Sequence, residues 1–243
     1  MSNLELFNGK AIYYKEARPD YPQGLLRDLE KLGKKVVLDI GAGSGVLARQ
    51  LLQNKIGEQV IASEPNEEMR LLLDTSIGGF ENARVLYSPS ESIQLANASV
   101  DLIIAAQAFH YFDIELFHRE AVRVLRKDGW VSLIWTSRTG NTAFESKLSE
   151  IEEKNGRISE KIEIQVIQDF FNSSFLRKQY RSNVKYDKDS FVKRHLSSSY
   201  APSVETDKGK SMVKDLETLF DEFQEEGILE IPLLTYHYYG QLK

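Results

Sequence analysis

The chain has 243 residues, of which 42% are hydrophobic, and this is enough for one α/β domain with a substantial core. It contains no cysteine and only four histidines, which argues against disulfides, a thiolate nucleophile and a Cys- or His-based metal site. The formal net charge of -5 argues against a nucleic-acid partner, whose phosphates require a basic face.

The first residues carry neither a long apolar run nor a basic leader, and no stretch approaches the ~20 apolar residues of a membrane span. We therefore expect a cytoplasmic protein with no membrane partner. An aromatic and basic segment follows, and it has two interpretations. It is either a lid whose arginine pairs with a carboxylate of cofactor or substrate, or a helix at the sheet edge with that arginine in a surface ion pair. The residues of this segment are Tyr13, Tyr14, Arg18 and Tyr21.

Short apolar runs alternate with helical patterns in the first 135 residues. Runs that are apolar on both faces are typical of parallel strands covered by helices on each side. Their alternation with helices predicts βαβ crossovers and a doubly wound sheet. Strands are predicted at 36–40, 59–63, 83–87, 100–106 and 130–135, and helices at 45–54, 66–75 and 113–126.

The pattern changes after the fifth strand. Residues 141–175 are predicted to be helical with a polar break near Asn155, and residues 205–227 are predicted to form another helix. Strands are predicted at 177–186 and 235–242. We expect a single domain over 1–243. Its predicted parts are a lid or helical segment at 1–34, a cofactor-binding core at 35–136, a helical cap with connections at 137–175 and 188–230, and the last strands of the sheet at 176–187 and 231–243.

A glycine-rich turn follows the first strand directly. Glycines at this turn permit positive φ and let a ligand approach the backbone, while the next helix offers free N–H groups. Glu64, at the end of the second strand, can accept hydrogen bonds from both hydroxyls of a ribose. The turn and its acidic neighbour read Asp39, Ile40, Gly41, Ala42, Gly43, Ser44 and Gly45.

Two nucleoside cofactors fit such a turn, and the charges distinguish them. The dinucleotide fingerprint is GxGxxG, but here Val46 occupies the position of its third glycine. The carboxylate of Asp39 would repel a pyrophosphate, whereas it suits a ligand with an ammonium group. S-adenosylmethionine has an ammonium group and a sulfonium, so these residues favour it over NAD. The alternative is a purely structural glycine turn, which the strand, Asp39 and Glu64 together disfavour.

With these motifs the sequence resembles the class I S-adenosylmethionine-dependent methyltransferases, with a methyltransferase type 11 domain. The matching segments are 37–45, 62–66, 88–91, 107–112 and 125–130. The resemblance implies an α/β, Rossmann-like, doubly wound seven-stranded sheet, mostly parallel, with an antiparallel last strand and a helical cap. It also implies S-adenosyl-L-methionine as cofactor and S-adenosyl-L-homocysteine as product. The sequence departs from the family where an acid is common two residues before Glu91, because Pro89 stands there.

Both ends of the chain resemble the small-molecule branch that includes trans-aconitate methyltransferase-like proteins. The matching segments are 18–22, 197–200 and 236–242. This resemblance implies a small-molecule acceptor, with small carboxylates among the acceptor classes of the branch. It fixes neither the acceptor nor the atom that is methylated, and a monomer or a homodimer is expected.

The resemblance and the residues together give a set of expected roles. Gln107 should lie beside the methionine part of the cofactor, and Tyr111 should join Tyr13, Tyr14, Arg18 and Tyr21 on the substrate side. His110 is the candidate catalytic residue, as a general base or a group that orients the acceptor; alternatively it only caps or packs at the top of the sheet. No metal is implied. The expected cofactor contacts are Asp39, Gly41, Ala42, Gly43, Gly45, Glu64, Pro65, Met69, Ser90, Glu91 and Gln107.

Three other functions remain as alternatives. A regulatory protein that binds S-adenosylmethionine without turnover would use the same cradle. A nicotinamide oxidoreductase is disfavoured by Val46 and Asp39. An RNA or protein methyltransferase is disfavoured by the acidic balance of charge.

Overall fold

The structure is a computed structural model that describes residues 18–140, 142–157 and 163–242. Tyr13 and Tyr14 of the predicted lid lie outside the described residues. The strands are β1 (Val36–Ile40), β2 (Gln59–Ser63), β3 (Ala83–Leu86), β4 (Val100–Ala106), β5 (Leu125–Arg138), β6 (Leu176–Tyr186) and β7 (Leu229–Gly240). The helices are α1 (Gln23–Lys31), α2 (Val46–Gln53), α3 (Glu67–Ile77), α4 (Ile114–Val124), α5 (Ala143–Lys154), α6 (Ile164–Phe170), α7 (Lys188–Leu196) and α8 (Asp207–Phe223).

The seven strands form one sheet in the order β3-β2-β1-β4-β5-β7-β6. β1 pairs in parallel with both β2 and β4, β2 pairs with β3, and β4 pairs with β5. The last strands are antiparallel. This order confirms the predicted Rossmann-like α/β fold. The strand order reverses between β1 and β4, and ligands of open α/β sheets bind at the carboxyl ends of the strands at such a point.

Both faces of the central parallel strands are buried, as their continuous apolar sequences predict. Leu38 and Ile103 belong to one core cluster, and their neighbours Val37 and Leu102 belong to another. Because successive side chains of a strand point to opposite faces, the sheet is covered on both sides. The glycine turn therefore starts from a strand that is held rigidly within the core.

The chain divides into two compact units. Of the described residues, the first contains 18–19, 137–140, 142–157 and 181–234, and its core includes Phe144, Phe191 and Phe220. The second contains 20–136, 163–180 and 235–242, with the two core clusters of the sheet. Residues 137–175, expected as part of the helical cap and its connections, contribute α5 to the first unit and α6 to the second. The predicted domain organisation otherwise stays a prediction.

The boundary between α4 and β5 differs from the one predicted. The helix expected over 113–126 ends at Val124, and β5 begins at Leu125 instead of residue 130. The pairing of β4 with β5 jumps from Val100–Leu125 to Leu102–Trp130, so residues 126–129 bulge from the ladder. The Gly129 turn that predicted a stop is accommodated inside the strand.

The last strand also begins earlier than predicted, at Leu229 and not at residue 235. Leu229 and Ile231 pack in the core of the first unit, which gives this half of β7 its burial. Pro232 lies between them and the Tyr-rich half, and a proline within a run lowers the strand signal of a sequence.

Candidate functional site

The glycine turn is built from three residues with left-handed backbones. The φ angles are 68° at Gly41, 56° at Gly43 and 83° at Gly45. A Cβ on Gly41 would lie 2.7 Å from Cβ of Ala108, and one on Gly45 would lie 2.7 Å from Cδ1 of Leu73. A Cβ on Gly43 would meet no described atom within 4 Å. Gly41 and Gly45 thus allow close packing, while Gly43 leaves open space beside the backbone.

Glu64 joins the glycine turn to the end of β2. Its Oε2 accepts a hydrogen bond from the Gly43 N–H, and its Oε1 accepts one from the Asn66 N–H, each at 2.8 Å. The side chain is buried, and burial raises the pKa of this carboxyl, although the two N–H donors oppose the rise. Asn66 caps α3 through Met69, so Glu64 is not needed as the helix cap.

Asp39, at the end of β1, is only 1% exposed. Burial raises its pKa to about 7; the Ala48 N–H opposes the rise, and the charge of Glu64 adds to it. Its Oδ2 is buried without a hydrogen-bond partner among the described residues. Buried acceptors are normally hydrogen-bonded, because an unpaired one costs free energy. A cationic N–H group of a ligand could supply the donor for this oxygen.

Gln107 follows β4 in a left-handed conformation, with φ of 56°. Its N–H donates to the Ile134 carbonyl at 2.8 Å, and its Nε2 donates to the Thr136 carbonyl at 2.7 Å. The side-chain amide is therefore oriented with Oε1 left as an acceptor. A non-glycine residue held at positive φ carries strain of the kind found at functional sites.

His110 and Tyr111 lie in a single 3-10 turn, Phe109–Tyr111, after β4. His110 Nδ1 accepts a hydrogen bond from Trp135 Nε1 at 3.3 Å, and its ring centroid is 4.0 Å from that of Tyr111. Burial lowers the pKa of His110 to about 4, so the imidazole is neutral at pH 7. This placement at the carboxyl end of β4 is compatible with either predicted role.

The remaining predicted cofactor residues flank the same edge of the sheet. Met69 and Ser90 are buried, and Ala42 and Pro65 are partly buried. The Ala42 N–H donates to the Ser63 carbonyl at 3.0 Å. Glu91 Oε1 accepts from the Asp113 N–H at 2.9 Å, so this carboxylate ties its loop to the start of α4.

Of the four residues assigned to the predicted N-terminal lid, the structure describes Arg18 and Tyr21. Tyr21 exchanges two hydrogen bonds with the Gln50 side chain, at 2.8 and 3.1 Å through its backbone. Arg18 belongs to the first unit, where its Nη2 donates to the Ser197 carbonyl at 3.4 Å. The carboxylate-pairing role of Arg18 stays a prediction.

Sequence reasoning missed three groups that define the site. They are the Trp135 indole, the Thr136 carbonyl and the Ala48 N–H. The first two lie on β5, whose register places Ile134 beside Ala106 at the end of β4. The only feature of the sequence that could have identified Trp135 and Thr136 is their position near the carboxyl end of the fifth predicted strand.

In the described part of the chain, no three His, Asp or Glu side chains come together as metal ligands. Nor does any helix within those residues have the length and apolar character required to cross a membrane.

Part of the chain is similar to known methyltransferases. Residues 38–133 match the family described as "Methyltransferase domain". An uncharacterized methyltransferase of Mycobacterium tuberculosis is 33% identical over 155 residues, which cover 63% of this chain and 62% of the relative. A protein of Saccharomyces cerevisiae named "Probable S-adenosylmethionine-dependent methyltransferase" is 26% identical over 129 residues, or 50% of this chain and 44% of that one. The chain thus matches less than two thirds of the length of these relatives.

Solved structures show the same fold. One from Anaeromyxobacter dehalogenans, assigned to the type II methyltransferases, superposes with a TM-score of 0.66. It covers 92% of this chain and 97% of its own, with 21% identity. At such identity the likeness concerns the fold. Residues 38–133 are therefore similar to a methyltransferase domain, and the chain has the fold of the solved structure from Anaeromyxobacter dehalogenans.

Proposed function

We propose that this chain is an S-adenosylmethionine-dependent methyltransferase whose acceptor is a small molecule, with carboxylates as the favoured class. The proposal is supported above all by Oδ2 of Asp39, which is buried and has no hydrogen-bond partner among the described residues. Gly43 of the adjoining turn has no described atom within 4 Å of the place that a Cβ would occupy. This pair fits a ligand that brings a cationic N–H group to the glycine turn, and it disfavours a pyrophosphate.

The residues of the turn would divide the binding work. Asp39 would accept from the ammonium group, directly or through water, and Glu64 would accept from the ribose hydroxyls. Gly43 would let the cofactor approach the backbone closely. We further propose that Pro65, Met69, Ser90 and Glu91 hold the adenosine, with Glu91 also bonded to Asp113.

The residues after β4 would handle the reacting groups. When bound, the cofactor supplies a methyl group activated by a sulfonium. Gln107 Oε1 would accept a hydrogen bond from the methionine part of the cofactor, because its Nε2 is already committed to Thr136. His110 and Tyr111 would position the acceptor, and positioning alone supplies much of the acceleration of an in-line displacement.

The acceptor class follows from charge and chemistry. The net charge of -5 does not favour a polyanionic nucleic acid as substrate. A carboxylate is already ionised at neutral pH, so its methylation needs no base. Both ends of the chain resemble the small-molecule branch whose acceptors include small carboxylates, and this resemblance also favours a carboxylate. The cytoplasmic location, the lack of a membrane or nucleic-acid partner, and the monomeric or homodimeric state stay predictions.

The test is a methyl-transfer assay with purified chain, methyl-labelled S-adenosylmethionine and a panel of small mono-, di- and tricarboxylates. We expect label in at least one ester product, with S-adenosylhomocysteine formed in equal amount. Glu64→Ala is the control and should lose the activity. Binding of the cofactor without transfer to any member of small-acid, amine or phenol panels would favour the alternative, a regulatory protein without turnover.

A further inference from the structure

The hydrogen bond between Trp135 and His110 determines which imidazole nitrogen carries the proton. An indole Nε1–H is a donor only, so Nδ1 of His110, 3.3 Å away, must be the acceptor. A neutral imidazole carries one proton, and with Nδ1 accepting, that proton lies on Nε2.

The indole is held in place from several directions. Its ring packs edge-on against Phe109 and Tyr238, each with centroids 6.0 Å apart. Gln107 binds the carbonyls of Ile134 and Thr136, the residues on either side of Trp135. The backbone on both sides of Trp135 is therefore fixed to the end of β4, and its indole ring is packed against two other aromatic rings.

We propose that Trp135 is a positioning residue that fixes His110 as the Nε2-protonated tautomer, so that His110 meets the methyl acceptor as a hydrogen-bond donor and not as a base. This inference rests on the proposed function and narrows its substrate class. The Nδ1 lone pair is used by the indole and the other nitrogen already has its proton, so the neutral ring has no lone pair left to remove a proton.

The acceptor must then present a lone pair without first losing a proton to His110, and a carboxylate does so. One carboxylate oxygen accepts the Nε2–H while the other forms a bond to the methyl carbon. The carbon–sulfur bond breaks and its electron pair returns to sulfur, giving a neutral thioether and a methyl ester. No proton is transferred in this step.

The primary test is NMR of the full chain with 15N-labelled histidine, and it requires neither substrate nor turnover. Long-range 1H–15N correlations distinguish the two tautomers, and the His110→Gln variant assigns the signal. We expect His110 to be neutral with the proton on Nε2 from pH 6 to 8. Trp135→Phe keeps an aromatic ring but removes the donor, and it should give a mixture of tautomers.

Trp130→Phe is the matched control, because Trp130 packs on Tyr239 and makes no hydrogen bond to His110. It should leave the His110 signal unchanged. A proton on Nδ1, a charged imidazole at pH 7, or an unaltered signal in Trp135→Phe would overturn the inference even if the protein methylates small molecules. If no transfer is found at all, the NMR result still decides the tautomer.

A kinetic comparison separates donor from base once an acceptor is found. Gln can donate from an atom equivalent to Nε2, so His110→Gln should retain kcat within about 10-fold, whereas His110→Ala should lose more. Loss of a general base would cost about 100-fold or more in both variants, and that result would contradict the proposal.

Discussion

Gly43 and Gly33 have similar left-handed backbones, with φ of 56° and 62°, and a Cβ added at either residue would meet no described atom within 4 Å. Only Gly43 lies in the proposed cofactor cradle, since Gly33 lies between α1 and β1. We predict that Gly43→Ala raises the Kd for S-adenosylmethionine at least about 10-fold, because the methyl group occupies the space of the ligand.

The matched variant Gly33→Ala should bind normally. Both substitutions should cost about 1 kcal/mol of unfolding free energy, because alanine is strained at positive φ. Calorimetric titration and denaturant unfolding of the two variants check this. Equal affinity in Gly43→Ala and wild type would show that the cofactor does not lie against Gly43.

Asp39 gives the ligand-free protein a distinctive pH dependence. Its folded-state pKa of about 7 lies above the ordinary 3.8, so ionisation disfavours the folded state. Stability should therefore fall as pH rises from about 4 to about 7, by at most ~4 kcal/mol at ~1.4 kcal/mol per pKa unit, and then level off. Asn does not ionise, so Asp39→Asn should remove this fall while weakening S-adenosylmethionine binding.

The measurement is the Tm of both ligand-free proteins at pH 5 and pH 8. Wild type should lose more Tm between these values than Asp39→Asn does. The same loss of Tm in both proteins would contradict this prediction. It would mean that Asp39 is already ionised at pH 5 and that its charge does not destabilise the folded state at pH 8.

At the residue scale, the sequence was sufficient to select residues that directly follow or end a predicted strand. Gly41, Gly43 and Gly45 follow β1 directly, and Glu64 ends β2, so a strand–turn–helix pattern was enough to select them. The contact of Trp135 with His110 depends instead on the register between β4 and β5. No local pattern encodes that register, so Trp135 could be identified only from the structure.

At the element scale, α5 is anchored in the first unit by one buried carboxylate. Glu152 accepts two hydrogen bonds from Arg138, at 2.9 and 2.6 Å, one from Tyr200 at 3.0 Å and another from Arg157. Burial alone would raise the pKa of Glu152. The hydrogen bonds and charges of its partners, chiefly Arg138, have the larger effect and lower the pKa to about 2.

We predict that Glu152→Gln destabilises the protein by about 3–5 kcal/mol, because it leaves the Arg138 guanidinium buried without its counter-ion. The depressed pKa also means that this stabilisation is complete above the ordinary value of 4.5 and is lost as pH falls towards 2. Denaturant unfolding at pH 7 and at pH 3 measures the loss and its pH dependence. The difference in unfolding free energy between wild type and Glu152→Gln should be smaller at pH 3 than at pH 7.

Asp215→Asn is the control, since Asp215 also pairs with a residue of α5, Lys154, but is 33% exposed where Glu152 is 5% exposed. It should cost less than about 1 kcal/mol. A loss in Glu152→Gln as small as that of the control would contradict a structural role for the buried cluster.

Element boundaries show where local patterns fail. Residues 126–129 contain charged residues and Gly129, a composition that predicts the end of a helix, yet they bulge within β5. Arg126 pairs there with Asp101 at 2.8 Å on the neighbouring strand. A bulge is stabilised by such contacts with the partner strand, which sequence periodicity does not report.

At the scale of the whole molecule, the alternation of apolar runs and helices was sufficient to predict the doubly wound sheet, because the central runs are buried on both faces. The division into two units was not predictable in the same way. The core of the first unit joins Phe144, Phe191, Phe220 and Ile231, which are far apart in sequence. Their assembly depends on long-range packing and leaves no periodic signal.

The measurement that tests the central claim most directly is calorimetric titration of the purified chain with S-adenosylmethionine, S-adenosylhomocysteine and NAD. We predict micromolar binding of both adenosyl ligands at one site per chain and no binding of NAD. Binding of NAD with no response to either adenosyl ligand would contradict it, and would assign the glycine turn to a pyrophosphate in spite of Asp39.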